Sequence, residues 1–330
     1  MPNNLGYTAL SSRVRIARNV EGLAFPHKLT NEQAEAFYKR VLPLFTSGYE
    51  VFFMAELSAM EKAVLSERQI ISTRLAERKT GAVATKGNLS VMMLEEDAFR
   101  ICAIERGFHL TEAYAVAAEA ERTLASKLPF AKMPEFGYLT ASFLNVGAGI
   151  RASTTVLLPA LTKAGKLKSV LAVLDEEGIA VRGVLGEGSA SEHALYQISN
   201  AHSYGRTDAE VLLGVKQATL DLANLELATR KDALNENPKG ERERFLSAVH
   251  SLSKSGSLSY SKAMQYLTTV MEGVSVGVLT DGGVDLYELG LSLRPASLAL
   301  KRGKILSQAE ENEFRMAVIK ENLEGYQSQN

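Results

Sequence analysis

Apolar positions recur along this chain in two rhythms, and their order predicts a mixed α/β part followed by a helical one. Thr30, Asn31, Glu32 and Gln33 have capping-box form, and Ala34, Phe37, Tyr38, Val41 and Leu42 follow at helical spacing. Residues 50–55 (EVFFMA) and 90–94 (SVMML) are apolar runs of strand length, predicting buried strands. Residues 99–104 continue the second run after an acidic interruption. Helical period returns over 110–128 and stops before Pro129. Residues 160–174 predict a helix broken at Gly165 and closed by Asp175, Glu176, Glu177 and Gly178. Strands are predicted over 179–185 and 195–199. The small, polar stretch from Gly186 to Ser191 between them predicts a mobile loop.

From Thr207 the helical rhythm dominates. Residues 208–234 predict one long amphipathic helix with Val211, Leu212, Val215, Leu220, Leu222 and Leu225 on or near one face. Asn235 to Gly240 has turn composition, and the capping box from Ser307 to Glu310 opens a last helix. Residues 257–279 are too apolar for a solvated appendage, so they pack in a core or against another subunit. The division expected is a mixed part over 1–205 and a helical part over 206–330, with the long helix able to belong to either.

Composition narrows the partners. The 330 residues carry a net charge of -1, so no global basic field recruits nucleic acid. One cysteine, Cys102, leaves no intramolecular disulfide and no cysteine-based zinc site. The five histidines show no metal-ligand spacing. The first residues lack a basic stretch followed by an apolar one, and no run approaches the ~20 apolar residues of a membrane helix. The expectation is a cytoplasmic chain with neither membrane nor nucleic-acid partners.

Four scattered segments carry candidate chemistry. In Ser11-Ser12-Arg13-Val14-Arg15, the arginines are two apart, so on a strand they share a face and can chelate phosphate. A solvated basic edge strand is the plainer alternative. In Leu94-Glu95-Glu96-Asp97-Ala98-Phe99-Arg100, three acids sit between apolar runs and suit Mg²⁺ or base chemistry, or a polar turn. Asn145 to Ser153 contains Gly147, Gly149 and Arg151, where glycines let backbone N–H groups approach a phosphate or simply form a turn. Arg182 interrupts an apolar strand and calls for an anion, or for an acid such as Glu187. Arginines, carboxylates, a glycine loop and a polar lid are together what phosphoryl transfer uses.

In this order the segments SSRVR, LEEDAFR, SFLNVGAGIRAS and RGVLGE resemble the motifs of the ATP:guanido phosphotransferases. Those enzymes carry S-[ST]-R-x-R, N-E-E-D-H-x-R, C-P-[ST]-N-x-G-T-x-x-R-A-S and R-G-x-x-G-E. The resemblance spans roughly residues 10–204. It is similar in particular to the bacterial protein arginine kinases, because only ten residues precede Ser11 where small-guanidine kinases place a helical domain, and because a helical part follows.

The resemblance implies an α+β fold, with an antiparallel-rich sheet flanked by helices and then a helical C-terminal domain. It implies ATP and Mg²⁺, the metal held mainly through the nucleotide and water. Arg13, Arg15, Arg100, Arg151 and Arg182, with Ser11, fall at phosphate-binding positions. Glu96 falls at the catalytic carboxylate and Glu187 at a second one on a lid that includes Gly186, Gly188 and Ser189. Glu95, Ser142 and Asn145 fall close to the substrate. Implied partners are proteins with exposed arginine, an activator protein, the Clp protease machinery and a second copy of the chain.

Several positions depart from the family pattern. Ser142 replaces its cysteine, Phe143-Leu144 its Pro-Thr, Leu94 its asparagine and Ala98 its histidine. Gln69 and Thr155 stand where histidines pack on the nucleotide, and of a phosphoarginine-binding R-D-x-x-R-A motif only Arg315 survives. Two other readings stay open on these grounds: a kinase for free arginine or another small guanidine, and a non-catalytic regulator that binds nucleotide or phosphoarginine.

Overall fold

The computed structural model describes residues 5–46, 48–183 and 192–323. Ten strands form within it: β1 (Ala9–Arg18), β2 (Glu50–Phe53), β3 (Ala82–Lys86), β4 (Leu89–Met93), β5 (Phe99–Arg106), β6 (Lys132–Met133), β7 (Gly137–Tyr138), β8 (Ile150–Leu157), β9 (Ile179–Gly183) and β10 (Leu195–Asn200). Eight build one sheet in the order β2-β3-β4-β5-β1-β8-β10-β9, every pairing antiparallel, while β6 and β7 make a separate hairpin.

Twelve α-helices accompany them: α1 (Asn31–Val41), α2 (Ala59–Glu67), α3 (Thr73–Glu77), α4 (Leu110–Ala125), α5 (Pro159–Lys163), α6 (Leu167–Glu176), α7 (Asp208–Glu236), α8 (Pro238–Lys254), α9 (Tyr260–Ser275), α10 (Leu286–Ser292), α11 (Pro295–Arg302) and α12 (Gln308–Asn322). The capping boxes at Thr30 and Ser307 form as expected, with Gln33 and Glu310 closing them. Gly165 separates α5 from α6 at φ 67°. The turn expected over 235–240 is shorter than its composition suggests. Asn237 alone separates α7 from α8, because its side chain caps the Gly240 N–H and Pro238 needs no donor at the first helical position. β2 is an edge strand and only partly buried, since it pairs with β3 alone.

Strand alternation sets the two faces of the sheet. Val14 and Ile16 on β1 point into the core with Val91, Met93, Phe99 and Ile101, against Phe37 of α1, Ala113, Ala117 and Leu124 of α4, and Val211, Val215, Ala218 and Leu222 of α7. The first half of α7 therefore shares the sheet's core. Further along, its inward stripe turns polar: Glu226 and Arg230 are fully buried and paired at 2.7 Å, and Leu225 faces outward. Glu226 accepts the first backbone N–H groups of α5 from Ala160 and Leu161, while Arg230 donates to the carbonyls of Gly6 and Leu157. All the charge of the pair is thereby hydrogen-bonded, which is what makes its burial tolerable.

A second core holds the helices after α7 together and reaches back to the sheet through Tyr7, Leu10, Leu157 and Leu195. The apolar residues of 257–279, among them Met264, Leu267, Val270, Met271 and Leu279, are buried in this core. Of the two outcomes expected for that stretch, packing within the chain accounts for it. No helix among the described residues is long and apolar enough to cross a membrane.

Candidate active site

β1 lies in the middle of the sheet, so its arginines are not those of a solvated edge. Arg15 stands opposite Arg151 on β8 and Cys102 on β5, and Arg13 stands opposite Ser153 and Ile104. Arg100 pairs in register with Ala17, and Arg182 with Gln197. These registers bring the arginines to one face of the sheet, away from the apolar core. Arg15, Arg100, Arg151 and Arg182 line a single cleft of about 390 Å³ together with Glu95, Glu96, Ser142 and Asn145. Arg13 lies beside it, donating to Cys102 Sγ at 3.2 Å and to Gln69 Oε1 at 3.4 Å. Ser11 is buried on β1 between Arg106 and Thr155 and does not line this cleft.

The charge of this face is unbalanced. Burial pushes the Arg15 pKa well down from its ordinary value, and the guanidiniums of Arg13, Arg151 and Arg100 push it further. Arg15 Nε has no hydrogen-bond partner among the described residues. Arg151 donates to Ser199 Oγ at 3.0 Å. Converging cations, with the Arg15 Nε donor unbonded among the described residues, favour an anion with several oxygens, such as a polyphosphate.

The acidic segment is a turn between β4 and β5, and its three carboxylates have separate duties. Leu94 opens it at φ 55°, its N–H bonded to the Ala98 carbonyl at 3.0 Å. Asp97 faces inward, accepting from Asn19 at 2.6 Å and from the Ala141 N–H at 2.7 Å, and burial raises its pKa. It is a staple of the turn. Glu95 is also buried, accepts from Ser72 Oγ and pairs with Arg100 at 3.0 Å. Glu96 opens onto the cleft and pairs with Arg74 at 2.6 Å and Arg100 at 3.7 Å. Ala98, in place of a histidine, is buried and uses its N–H to hold Asn19 Oδ1 at 2.8 Å.

The glycine loop is shaped from behind. A short helical turn over Phe143–Asn145 sets Ser142 and Asn145 on the cleft wall. A Cβ on Gly147 (φ 108°) would run into the Ser203 carbonyl, and one on Gly149 (φ 67°) into Arg18. The glycines thus serve close packing within the chain, and the turn reading of this loop holds. Arg18 is buried, pairs with Glu121 at 2.6 Å, bonds the Ala17 and Ala148 carbonyls and lies 3.3 Å from the Tyr138 ring centre. It anchors the loop to β1.

The lid positions Gly186, Glu187, Gly188 and Ser189 lie outside the described residues. Sequence reasoning missed Ser72, Thr73 and Arg74, which line the cleft at the start of α3. Their signal was slight, a lone serine cap, and nothing in the sequence joins Arg74 to Glu96, which is 22 residues away. Arg315 is fully buried, donates through Nε and Nη1 to the carbonyls of Leu293 and Leu258 and to Asn312, and lies 3.6 Å from the Glu311 carboxylate, so it holds α12 in the helical core. Among the described residues no group of three or more His, Cys, Asp or Glu is placed to hold a metal. A larger cleft of about 780 Å³ borders the helical part and is lined by Gln69, Ser90, Glu105, Arg106 and Glu288 among others. It lacks the arginine cluster, so the smaller cleft is the chemical candidate.

An antiparallel sheet that offers four arginines and two glutamates to one cleft is the frame of a phosphotransferase. The chain belongs to the ATP:guanido phosphotransferase family, whose C-terminal catalytic domain profile matches residues 32–229. That match ends within α7 and begins after β1, so Arg13 and Arg15 lie before it. The chain is 34% identical over 323 residues to the protein-arginine kinase of Halothermothrix orenii, covering 95% of this chain and 92% of that one. It is 31% identical over 324 residues to the protein-arginine kinase of Clostridium kluyveri, covering 95% and 94%. Among solved structures, lombricine kinase aligns with a TM-score of 0.60 at 18% identity, over 69% of this chain and 71% of that one. The substrate-free duplicated taurocyamine kinase of Schistosoma mansoni aligns with a TM-score of 0.60 at 23% identity, over 79% and 39%. These two likenesses establish a shared fold.

Proposed function

We propose that this chain transfers the γ-phosphate of ATP to the guanidino group of arginine side chains in proteins. The observation that carries the reading is the convergence of Arg15, Arg100, Arg151 and Arg182 with Glu95 and Glu96 on one cleft. The relatives named protein-arginine kinase, similar along 95% of the chain, favour arginine in a protein over free arginine.

In this reading the arginines, Arg13 included, neutralise the triphosphate and the charge that builds on the transferring group. A guanidinium is a poor nucleophile while protonated, with a pKa above ~12. Glu96 draws the positive charge toward one nitrogen and takes the proton lost when another attacks. The N–P bond forms as the bond from the γ-phosphorus to the bridging oxygen breaks, and ADP leaves with that oxygen. Glu187 is the second carboxylate proposed for the guanidine, with Gly186, Gly188 and Ser189 as its lid. Ser142 and Asn145 stand at the acceptor wall, and Ser11 supports the arginine strand.

Glu95 and Glu96 are already paired with Ser72, Arg74 and Arg100, which suits a Mg²⁺ carried mainly by nucleotide oxygens and water. The metal would supply further neutralisation of the phosphates. We assign residues 1–205 to this chemistry and 206–330 to self-association and docking of substrates and partners in the cytoplasm, because every described residue lining the 390 Å³ cleft lies at or before Arg182. The test is incubation with Mg·ATP and either casein or free arginine, followed by assay of acid-labile phosphate. Label on protein arginine supports the proposal; label on free arginine alone, or on neither, overturns it.

A further inference from the structure

Ten large apolar side chains stand exposed among the described residues, and five of them, Met133, Phe136, Phe143, Leu144 and Tyr204, lie on chain segments linked to Leu144, which lines the cleft. Phe143 is 77% exposed and the other four are between 42% and 46% exposed. They sit on two segments that touch. The Phe136 and Tyr204 rings are 6.3 Å apart, the Phe136 N–H donates to the Met133 carbonyl, and the Ser203 N–H donates to the Leu144 carbonyl at 3.1 Å. Leu144 itself lines the cleft beside Ser142 and Asn145. Apolar residues exposed singly need no explanation, but a contiguous group at the mouth of a reactive cleft marks a binding surface.

We infer that this rim binds the polypeptide on either side of the target arginine and favours substrates with a large aliphatic or aromatic residue within a few positions of it. The inference rests on the protein-arginine reading above and adds to it a choice among arginines. The occupant follows from continuity. If a guanidinium enters between Glu96 and Asn145, the chain that carries it must cross the cleft mouth. An extended chain advances about 3.3 Å per residue, so the neighbours of the arginine fall on the surface that adjoins Leu144. The cleft itself is walled by charge and takes the guanidine, while the rim, where Lys132, Glu135 and His202 are also exposed, adds five large apolar side chains that can take apolar neighbours.

Two peptides of equal length and net charge, each with one central arginine, separate the possibilities. One carries Leu and Phe beside the arginine, the other Ser and Gly. The full chain with Mg·ATP is expected to phosphorylate the apolar peptide with a kcat/KM roughly tenfold higher or more, as burial of one large side chain allows. The double variant Phe136→Ser, Phe143→Ser is expected to lose that preference while keeping its rate on the polar peptide, since neither side chain lines the cleft. Equal rates for both peptides in the unaltered chain would overturn the inference and leave the arginine kinase reading standing. A preference that survives in the double variant would overturn it as well. Phosphorylation of neither peptide, with free arginine phosphorylated, would overturn the underlying reading and this inference with it.

Discussion

Arg15 and Arg151 stand directly opposite each other on the neighbouring strands β1 and β8, two like charges held in register at the centre of the sheet. Such a pair costs stability unless an anion lies across it. Nucleotide should therefore relieve a repulsion built into the resting fold. Replacing Arg15 or Arg151 by Ala should leave the melting temperature without nucleotide unchanged or higher. It should weaken ATP binding by about 1.5–3 kcal/mol, the worth of a charge-assisted contact. Thermal shift with and without Mg·ATP checks both halves, and a variant that still gains the full nucleotide shift would count against phosphate between these residues.

Of the two carboxylates of the acidic turn that line the cleft, Glu96 is the more exposed, whereas Glu95 is buried, as is Asp97. Glu96→Gln keeps the volume and removes the charge. The expected result is an unchanged fold and ATP affinity with turnover down by ~10²–10⁴-fold. Near-normal turnover in this variant would pass the proton acceptor's role to another carboxylate.

Glu67 joins the helical part to the segment that receives Arg13. Its carboxylate accepts from the N–H groups of Ala296 and Ser297 and from Ser297 Oγ, at 2.8–2.9 Å, at the start of α11. Two residues on, Gln69 sits at φ 59° and receives Arg13. Glu67→Ala should cost roughly 1.5–3 kcal/mol of stability and speed amide exchange at Ala296 and Ser297. Through Gln69 it should also raise the KM for ATP more than it lowers kcat. Unchanged exchange at α11 would show that the clamp does not hold this helix.

The start of α12 should respond to acid in a defined window. Lys304 and the Ser307 cap pull the Glu310 pKa from 4.5 down to about 2. A carboxylate lowered in the folded state stabilises above its ordinary pKa, and that contribution is lost as pH falls from about 4.5 toward 2. Protection of the first turn of α12 should persist at pH 5 and fade across that window. In Ser307→Ala the Glu310 titration, followed by NMR, should move upward; an unmoved midpoint would remove the capping box as a cause.

Much of this protein could be read from the sequence because its signals are local. The two-residue spacing of Arg13 and Arg15 fixes a shared face on any strand, and capping boxes at Thr30 and Ser307 fix two helix starts. The order of four motifs pointed to the family. What the sequence could not hold was distance. Nothing in the spacing places β1 at the middle of the sheet, and only there do its arginines meet Arg151 and Arg100 rather than solvent. Three adjacent acids look alike in sequence, yet pairing with Asn19, Ser72 and Arg74 makes one a staple, one a buried partner and one a cleft carboxylate. The apolar stretch over 257–279 suited either a core or an interface, and Phe245, Leu252, Leu286 and Leu298, with Leu10 and Leu157 from the sheet, supply the core. Periodicity and capping act within a few residues and so are written in the sequence; register, burial and charge convergence join residues tens to hundreds apart, and only the folded chain decides them.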